Sequence, residues 1–581
     1  MNQPEEFRRQ PPAPLAPKPL SLPQPYETAL DNGLRLVIVE DKRLPLVSYR
    51  LGLRTGNAHD PANLPGLNSM MANLLTEGTR IRTSRQIAEE VERLGATLIA
   101  GANADYTTVA ASTLKVYNGE IMNLLVDVAL HPSFPENELQ LSQQNTKQGL
   151  VQRRAQPDFL ANERLSRTIF GDHPYSVIAP TPESVDAMTR ELLSEFHRNM
   201  FVPNNAVLIA VGDVERDQVI ARAGELFSAW AQAKTTASNF PAPPVRQKRV
   251  VYLVDRPGSA QSNIVIANLG ITRTSDDYFP MLLLHTILGA NASSRLFMNL
   301  REEKGYTYGA YSSLDARRTA GSFRVSAEVR SDVTGASLKE FFYELDRIRT
   351  EKVSEKELTD AKSYLTGVFP IRLETQEGLI DQLVQIKMFD LPTDYLQSYR
   401  ERVSAVTADE IYQVAQKYVT PDRVAIVIVG DAAAITDQIK PYAEEIELYD
   451  ASGERKEMSD KNQKASPTQI NSDDIANLIG TWIVEIAAPL GMGNVSAKLK
   501  IEREQNNRLS GRVQSPMGTA SLNNISVNGN EFKASLAFPL QGQTLDAQIT
   551  ARANDDHLQG AIKVNFPGIS SLSFNGRRAA S

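Results

Sequence analysis

The chain has 581 residues, a net charge of −7 and no cysteine. That length exceeds a single core and points to several domains. The missing cysteines exclude disulfides, thiolate zinc sites and cysteine nucleophiles. The acidic total implies no basic face for nucleic acid, and no apolar run reaches the roughly 18 residues of a membrane-spanning helix.

In chain order, residues 1–22 form a proline-rich tail, PPII-like in composition. It has no apolar h-region and is therefore not read as an intact signal peptide. A first domain is expected over 23–231. Asn32-Gly33 leads into the strand-like runs GLRLVIVED and LVSYRLGLRTG, then LPGLNSMMANLLTEGTR, a helix SRQIAEEVERLG and a strand-like ATLIAGANADYTTVAASTL. FPENELQLSQQNTKQGLVQRRAQP and FGDHPYS follow; in the latter, His173 before proline reads as a turn element.

The end of this domain is repeated. Residues 185–213 and 403–431 align without a gap at an offset of 218, with seven identities that include Thr189/Thr407, Pro203/Pro421 and the closing Val-Gly-Asp. In each copy a threonine can cap an amphipathic helix. A proline stops that helix. An apolar run, AVLIAV or VAIVIV, then suits a strand buried on both faces. A domain of about 200 residues is therefore present twice. The copies are joined by a small, polar, proline-rich linker over 232–246, and the second spans 247–450. A charged stretch over 451–472 leads to a C-terminal module, 473–581. Its alternating runs and the Asn528-Gly529 hairpin signal predict an all-β barrel or sandwich. Gly480-Thr481-Trp482 is similar to the opening of lipocalin-like barrels.

Over residues 22–450, about three quarters of the chain, the order and spacing of these segments resemble the pitrilysin and mitochondrial-processing-peptidase family of inverted-motif zinc peptidases. The resemblance implies two α/β domains of mixed sheet and helix, an α+β class once the C-terminal module is added. Active members carry H-x-x-E-H on the helix that here reads GLNSMMANLLTEGT. There, two histidines hold zinc and the glutamate is the general base. The matching positions are Ser69, Ala72 and Asn73, and the further glutamate ligand falls near Gly149. None can replace the expected donors: alanine has no ligand atom, and serine and asparagine are poor zinc ligands beside imidazole and carboxylate. No two of the six histidines lie within five residues of each other. No zinc is therefore expected in this chain, and a relocated metal site would need distant ligands to converge.

The second copy contains LGANASSRLFMNLREEKGYTYGAYSS, which looks like the family's SRL-x-x-x-LRE-x-x-G segment and its tyrosine strand. The resemblance implies that Arg301 and Tyr308 hydrogen-bond the substrate carbonyl at a zinc site in another domain or subunit. The loop with Gly289 and Asn291 gives a ligand room to approach, and Tyr306 is a further substrate contact. Simple alternation puts Tyr306 and Tyr308 on one strand face and Tyr311 on the other. The family includes heterodimers in which one subunit carries zinc and the other supplies arginine and tyrosine. The expectation is a non-catalytic subunit, inactive alone, whose partners are a zinc-bearing homologous subunit and an unfolded peptide. The alternative is a peptide-binding or scaffold protein with a retired peptidase fold. The proline-rich start and the added β module suggest a periplasmic or extracellular bacterial protein, with a cytoplasmic one as the alternative.

Overall fold

The computed structural model describes residues 22–234, 239–457, 478–486, 495–503, 509–516, 518–528, 531–540, 543–554, 556–564 and 572–579. The proline-rich tail up to residue 21, residues 235–238 of the first linker and residues 458–477, from the second linker into the C-terminal module, lie outside them. The chain divides into two compact units, up to residue 458 and from 459 onward.

In the first unit, the first half builds a sheet from β1 (Tyr26–Ala29), β2 (Arg35–Glu40), β3 (Leu46–Leu53), β4 (Thr97–Ala102), β5 (Thr107–Leu114) and β6 (Ala206–Gly212). Their order is β1-β2-β6-β3-β5-β4, with β2 and β6 parallel and the other pairs antiparallel. The second half uses β7 (Val250–Asp255), β8 (Gln261–Leu269), β9 (Thr307–Ala316), β10 (Gly321–Arg330), β11 (Ala425–Gly430), β12 (Glu445–Tyr449) and β13 (Arg455–Lys456). Their order is β13-β12-β7-β11-β8-β10-β9. The run β2-β6-β3-β5-β4 thus returns as β7-β11-β8-β10-β9, again with its first pair parallel. The duplication read in the sequence is a duplication of topology.

Local chemistry explains the repeated punctuation. Thr189 and Thr407 each accept a backbone N–H three residues on, at 3.3 and 3.2 Å, and so cap their helices. Pro203 and Pro421 open single 3₁₀ turns. Every residue of β6 and β11 is buried. The run 96–114, read as one strand, is a hairpin. Asn103 Oδ1 accepts from the N–H of Asp105 and Tyr106 at 2.8 and 3.0 Å, and this Asx turn breaks the run into β4 and β5.

The halves exchange helices. Pro157–Phe170 belongs to the first half, yet it lays Leu160, Leu165 and Ile169 with β8 and β11 of the second sheet. Its counterpart Gln376–Met388 packs in turn on β3 and β6 of the first sheet, through Leu379, Ile380 and Leu383. A buried leucine on such a face is worth about 2–5 kcal/mol against alanine. Polar contacts fix the seat: Ser48 Oγ donates to Glu377 Oε1 at 2.9 Å and Lys387 Nζ to Glu27 Oε1 at 2.6 Å. Neither half can keep its sheet covered alone.

The second unit is a closed antiparallel barrel of eight strands, a barrel and not a sandwich. They are β14 (Gly480–Ile486), β15 (Val495–Arg503), β16 (Leu509–Ser515), β17 (Gly518–Asn528), β18 (Glu531–Leu540), β19 (Gln543–Asn554), β20 (His557–Val564) and β21 (Leu572–Arg578). β17 and β18 pair through Asn528 and Glu531, and Gly529 of the predicted hairpin signal lies outside the described residues. Trp482 is fully buried in the barrel core, and its Nε1 donates to the Leu478 carbonyl at 3.0 Å. Among the described residues, no helix is long and apolar enough to cross a membrane.

Candidate functional site: two equivalent clefts and an exposed tyrosine

Helix Leu67–Leu74 carries the first three candidate metal positions, and helix Glu136–Arg154 carries the fourth. Between them lies a cleft of about 630 Å³ lined by Ser69, Asn73 and Gly149. Positions on two helices far apart in sequence therefore meet at one place. Ala72 does not line the cleft and is 0% exposed. Ser69 Oγ donates to Asn57 Oδ1 at 3.0 Å, so its hydroxyl is already engaged. Gly149 has no heavy atom within 4 Å of where a Cβ would stand. The donor set is a hydroxyl, a methyl, an amide and bare backbone. It does not fit a zinc ion, and among the described residues no three His, Cys, Asp or Glu side chains group as metal ligands.

The helix is held from a position that its sequence did not mark. Asp60 accepts from the N–H of Gly66 at 2.7 Å and of Asn68 at 2.8 Å, from outside the usual N-cap spacing. Burial pushes its carboxyl up to about 7, against these backbone donors. Gly66 has φ +91°, and a Cβ there would sit 2.7 Å from Pro180, so only glycine fits this entry to the helix. His173 is structural: Nδ1 accepts from the Tyr175 N–H at 3.1 Å, and Nε2 lies 3.0 Å from Thr319 Oγ1 of the second half.

The same place in the second half is a second cleft. Helices Tyr278–Gly289 and Glu355–Leu373 follow their strands in the order of Leu67–Leu74 and Glu136–Arg154. Residues of both help to line a cleft of about 720 Å³, whose wall is charged. Arg295 forks onto Glu357 (Nε to Oε1 2.7 Å, Nη2 to Oε2 3.1 Å) with only 5% of its side chain exposed. Asn291 lines this cleft, with its Oδ1 turned back onto Ser293 N and Oγ. Gly289 does not face a ligand. A Cβ there would meet Ser312 N of β9 at 2.2 Å, so this glycine lets helix and strand pack together.

Tyr308 is 91% exposed and lines a groove of about 370 Å³ with Tyr311 and Arg324. Strand alternation had placed Tyr308 and Tyr311 on opposite faces. Between Ala327 and Val329 the register shifts by one residue, and this bulge in β9 turns Tyr308 to the Tyr311 side. Tyr306 stands just before the strand, half-buried, with its N–H on the Leu300 carbonyl at 2.9 Å. Arg301 does not line the groove. It lies in the π-helical stretch Met298–Glu303, its guanidinium 4.7 Å over the Phe297 ring and its Nε 3.5 Å from Glu302. Of the five second-half candidates, Tyr308 faces one cavity, Asn291 another, and Arg301 neither.

Both halves resemble known proteins. The family profile described as insulinase (peptidase family M16) matches residues 35–182, and that of the peptidase M16 inactive domain matches 187–365. An uncharacterised zinc protease of Bacillus subtilis, YmxG, is 22% identical over 67% of this chain and 95% of its own length. One of Streptomyces coelicolor is 24% identical over 67% and 86%. The crystal structure of a peptidase M16 inactive domain from Pseudomonas fluorescens has a TM-score of 0.66 and 26% identity, covering 70% of this chain and 98% of that one. A protease from Helicobacter pylori, 19% identical with a TM-score of 0.66 over 70% of this chain and 100% of its own, shares the fold. Two matched domains over more than half of the chain, a duplicated sheet and a cleft without its metal donors lead to one conclusion: the chain belongs to the M16 peptidase family, as a member without the residues that hold zinc.

Proposed function

We propose that this chain is the non-catalytic subunit of a heteromeric zinc metallopeptidase. It forms half of a peptide-binding chamber and offers Arg301 and Tyr308 to the zinc site of a homologous partner. The observation that carries the reading is a contrast within one molecule. The cleft between helices Leu67–Leu74 and Glu136–Arg154 has Ser69, Asn73 and Gly149 where zinc ligands would stand, while Tyr308 is 91% exposed. A phenol and a guanidinium suit the negative charge that grows on a carbonyl oxygen during peptide hydrolysis. Among the described residues no strand pairs with the outer edge of β4, which packs beside helix Leu67–Leu74 and can take an extended peptide through main-chain hydrogen bonds.

The test uses the chain co-purified with a zinc-bearing homologous subunit. The two should elute together, and Arg301→Ala in this chain should lower peptide cleavage by about 10²–10³-fold, the cost of one strong oxyanion donor. Absence of association, or unchanged cleavage, ends the proposal. A scaffold reading has its own support, since Arg301 is stacked on Phe297 and lies outside the groove of Tyr308. On that reading the complex binds peptide, and Arg301→Ala and Tyr308→Phe both leave cleavage as it was.

A further inference from the structure

The barrel carries a basic face that the acidic total conceals. The net charge of −7 lies on residues 1–458, and from 459 onward lysine and arginine outnumber aspartate and glutamate. The neighbouring strands β21, β14, β15 and β16 alternate between core and solvent. Trp482, Val484, Leu499, Ile501, Val513 and Phe574 fill the barrel. The residues between them point outward, and the strand register sets them in rows. Arg577 stands opposite Ile483, and Ile483 opposite Lys498. In the next outward row Lys500 stands opposite Arg512. Facing side chains of paired strands have Cβ atoms about 4.5–5.5 Å apart, so these four cations and the isoleucine form one patch.

Two features of the patch point to an external partner. The first is charge. Lys500 and Arg512 directly opposed repel each other at a cost in stability. Glu502, 2.5 Å from Lys500, offsets one of the two. Lys498, Arg512 and Arg577 have no ion pair with a carboxylate among the described residues, whereas Lys533 and Arg552 share Glu531 and Arg578 has Asp556. The second feature is Ile483. At 43% it is the most exposed large apolar side chain among the described barrel residues, and it stands between two of the unpaired cations. Cations that flank an aliphatic side chain suit the boundary between lipid headgroups and acyl chains, where phosphates meet the charges and the isoleucine leaves water. A nucleic acid also brings phosphates, but this patch offers its bases no aromatic ring to stack on. An acidic protein would need carboxylates matched to the strand register, whereas lipids diffuse to match any spacing. We infer that the outer face of β21, β14, β15 and β16 docks on an anionic phospholipid surface.

Co-sedimentation of the full chain with lipid vesicles, without any partner subunit, tests this. The chain should sediment with phosphatidylcholine vesicles that hold about one third phosphatidylglycerol, and not with vesicles of phosphatidylcholine alone. Salt at about 0.5 M, which screens charges beyond about 4 Å, should release it. A lysine or arginine at such a surface is worth about fivefold in partitioning, so the triple variant Lys498→Gln, Arg512→Gln, Arg577→Gln should bind about 10²-fold more weakly. Ile483→Ser should lower binding by about fivefold. Sedimentation with neither vesicle, equal sedimentation with both, or unchanged binding of the triple variant overturns the inference. So does self-association of the chain that the triple variant abolishes, which would assign the patch to the acidic first unit of a second copy. If the triple variant does not fold, the two vesicle types and the salt series on the unaltered chain decide alone.

Discussion

The two clefts occupy the same place in two copies of one topology, yet their walls follow opposite rules. In the first half, the facing helices present Ser69, Asn73 and Gly149 at the metal positions, all neutral, with Arg153 as the one charged residue they add to the wall. In the second, the wall holds the Arg295–Glu357 fork and the Glu344–Arg347 pair. Physics explains why the first cannot keep only part of a zinc site. Carboxylates facing each other in one cleft without a divalent cation repel and are poorly solvated. A site without its metal is therefore more stable when all its donors are replaced together. The second cleft can hold charges because each sign has its opposite within reach.

The largest expected effect tests how completely the first cleft has closed. Ala72 stands where the family's general base would be, and it is fully buried away from the cleft. Ala72→Glu should cost about 3 kcal/mol or more, the range for a buried charge without a partner. Ser69→His and Asn73→His face open space and should cost under about 1 kcal/mol each. Urea denaturation of the three variants measures this. Equal, small losses for all three would mean that the Glu position remains open to the cleft and that the two halves differ in residues only.

A smaller effect tests the second cleft through pH. Burial raises the Glu357 carboxyl, but Arg295 and the donors of Ser354 outweigh it and hold it down at about 2, from an ordinary 4.5. The folded state thus favours the ionised form. The stabilisation is complete above pH 4.5, declines as the pH falls below it, and is gone below about 2. Glu357→Gln should cost about 2 kcal/mol at neutral pH by leaving the Arg295 guanidinium half-paired. The difference between the variant and the unaltered chain should shrink as the pH drops from 4.5 toward 2. A difference that stays constant across that window would show that the folded state does not favour the ionised carboxylate, and that neither Arg295 nor the Ser354 donors hold it down.

Much of this was legible in the sequence, for reasons particular residues make clear. Thr189, Pro203 and Val-Gly-Asp act locally, so their repetition at 407, 421 and 429–431 revealed the duplicated halves. The positions 69, 73 and 149 could be aligned because helical spacing carries over between relatives, and they do line one cleft. The burial of Ala72 could not be read, because it depends on what packs behind the helix. The bulge that turns Tyr308 toward Tyr311 is a mismatch of one residue between β9 and β10, invisible in either strand alone. The pairing of Arg295 with Glu357 spans 62 residues and follows no local spacing, and the same glutamate also closes a capping box with Ser354. The exchange of helices between halves leaves no periodic signature at all.

The smallest effect separates a missing ligand from a needed glycine. Gly149 lies inside helix Glu136–Arg154, where glycine is worth about 1 kcal/mol less than alanine. Nothing stands within 4 Å of a Cβ at that position, so packing does not require the glycine. Gly149→Ala should therefore stabilise the chain by about 0.5–1 kcal/mol, read as a rise in the denaturation midpoint with an unchanged slope. This is the opposite of Gly289 on the other side of the duplication, where the backbone of β9 already fills the space. A loss of stability in Gly149→Ala would show that the first cleft closes over this residue, and its likeness to the open second cleft would then hold in topology but not in shape.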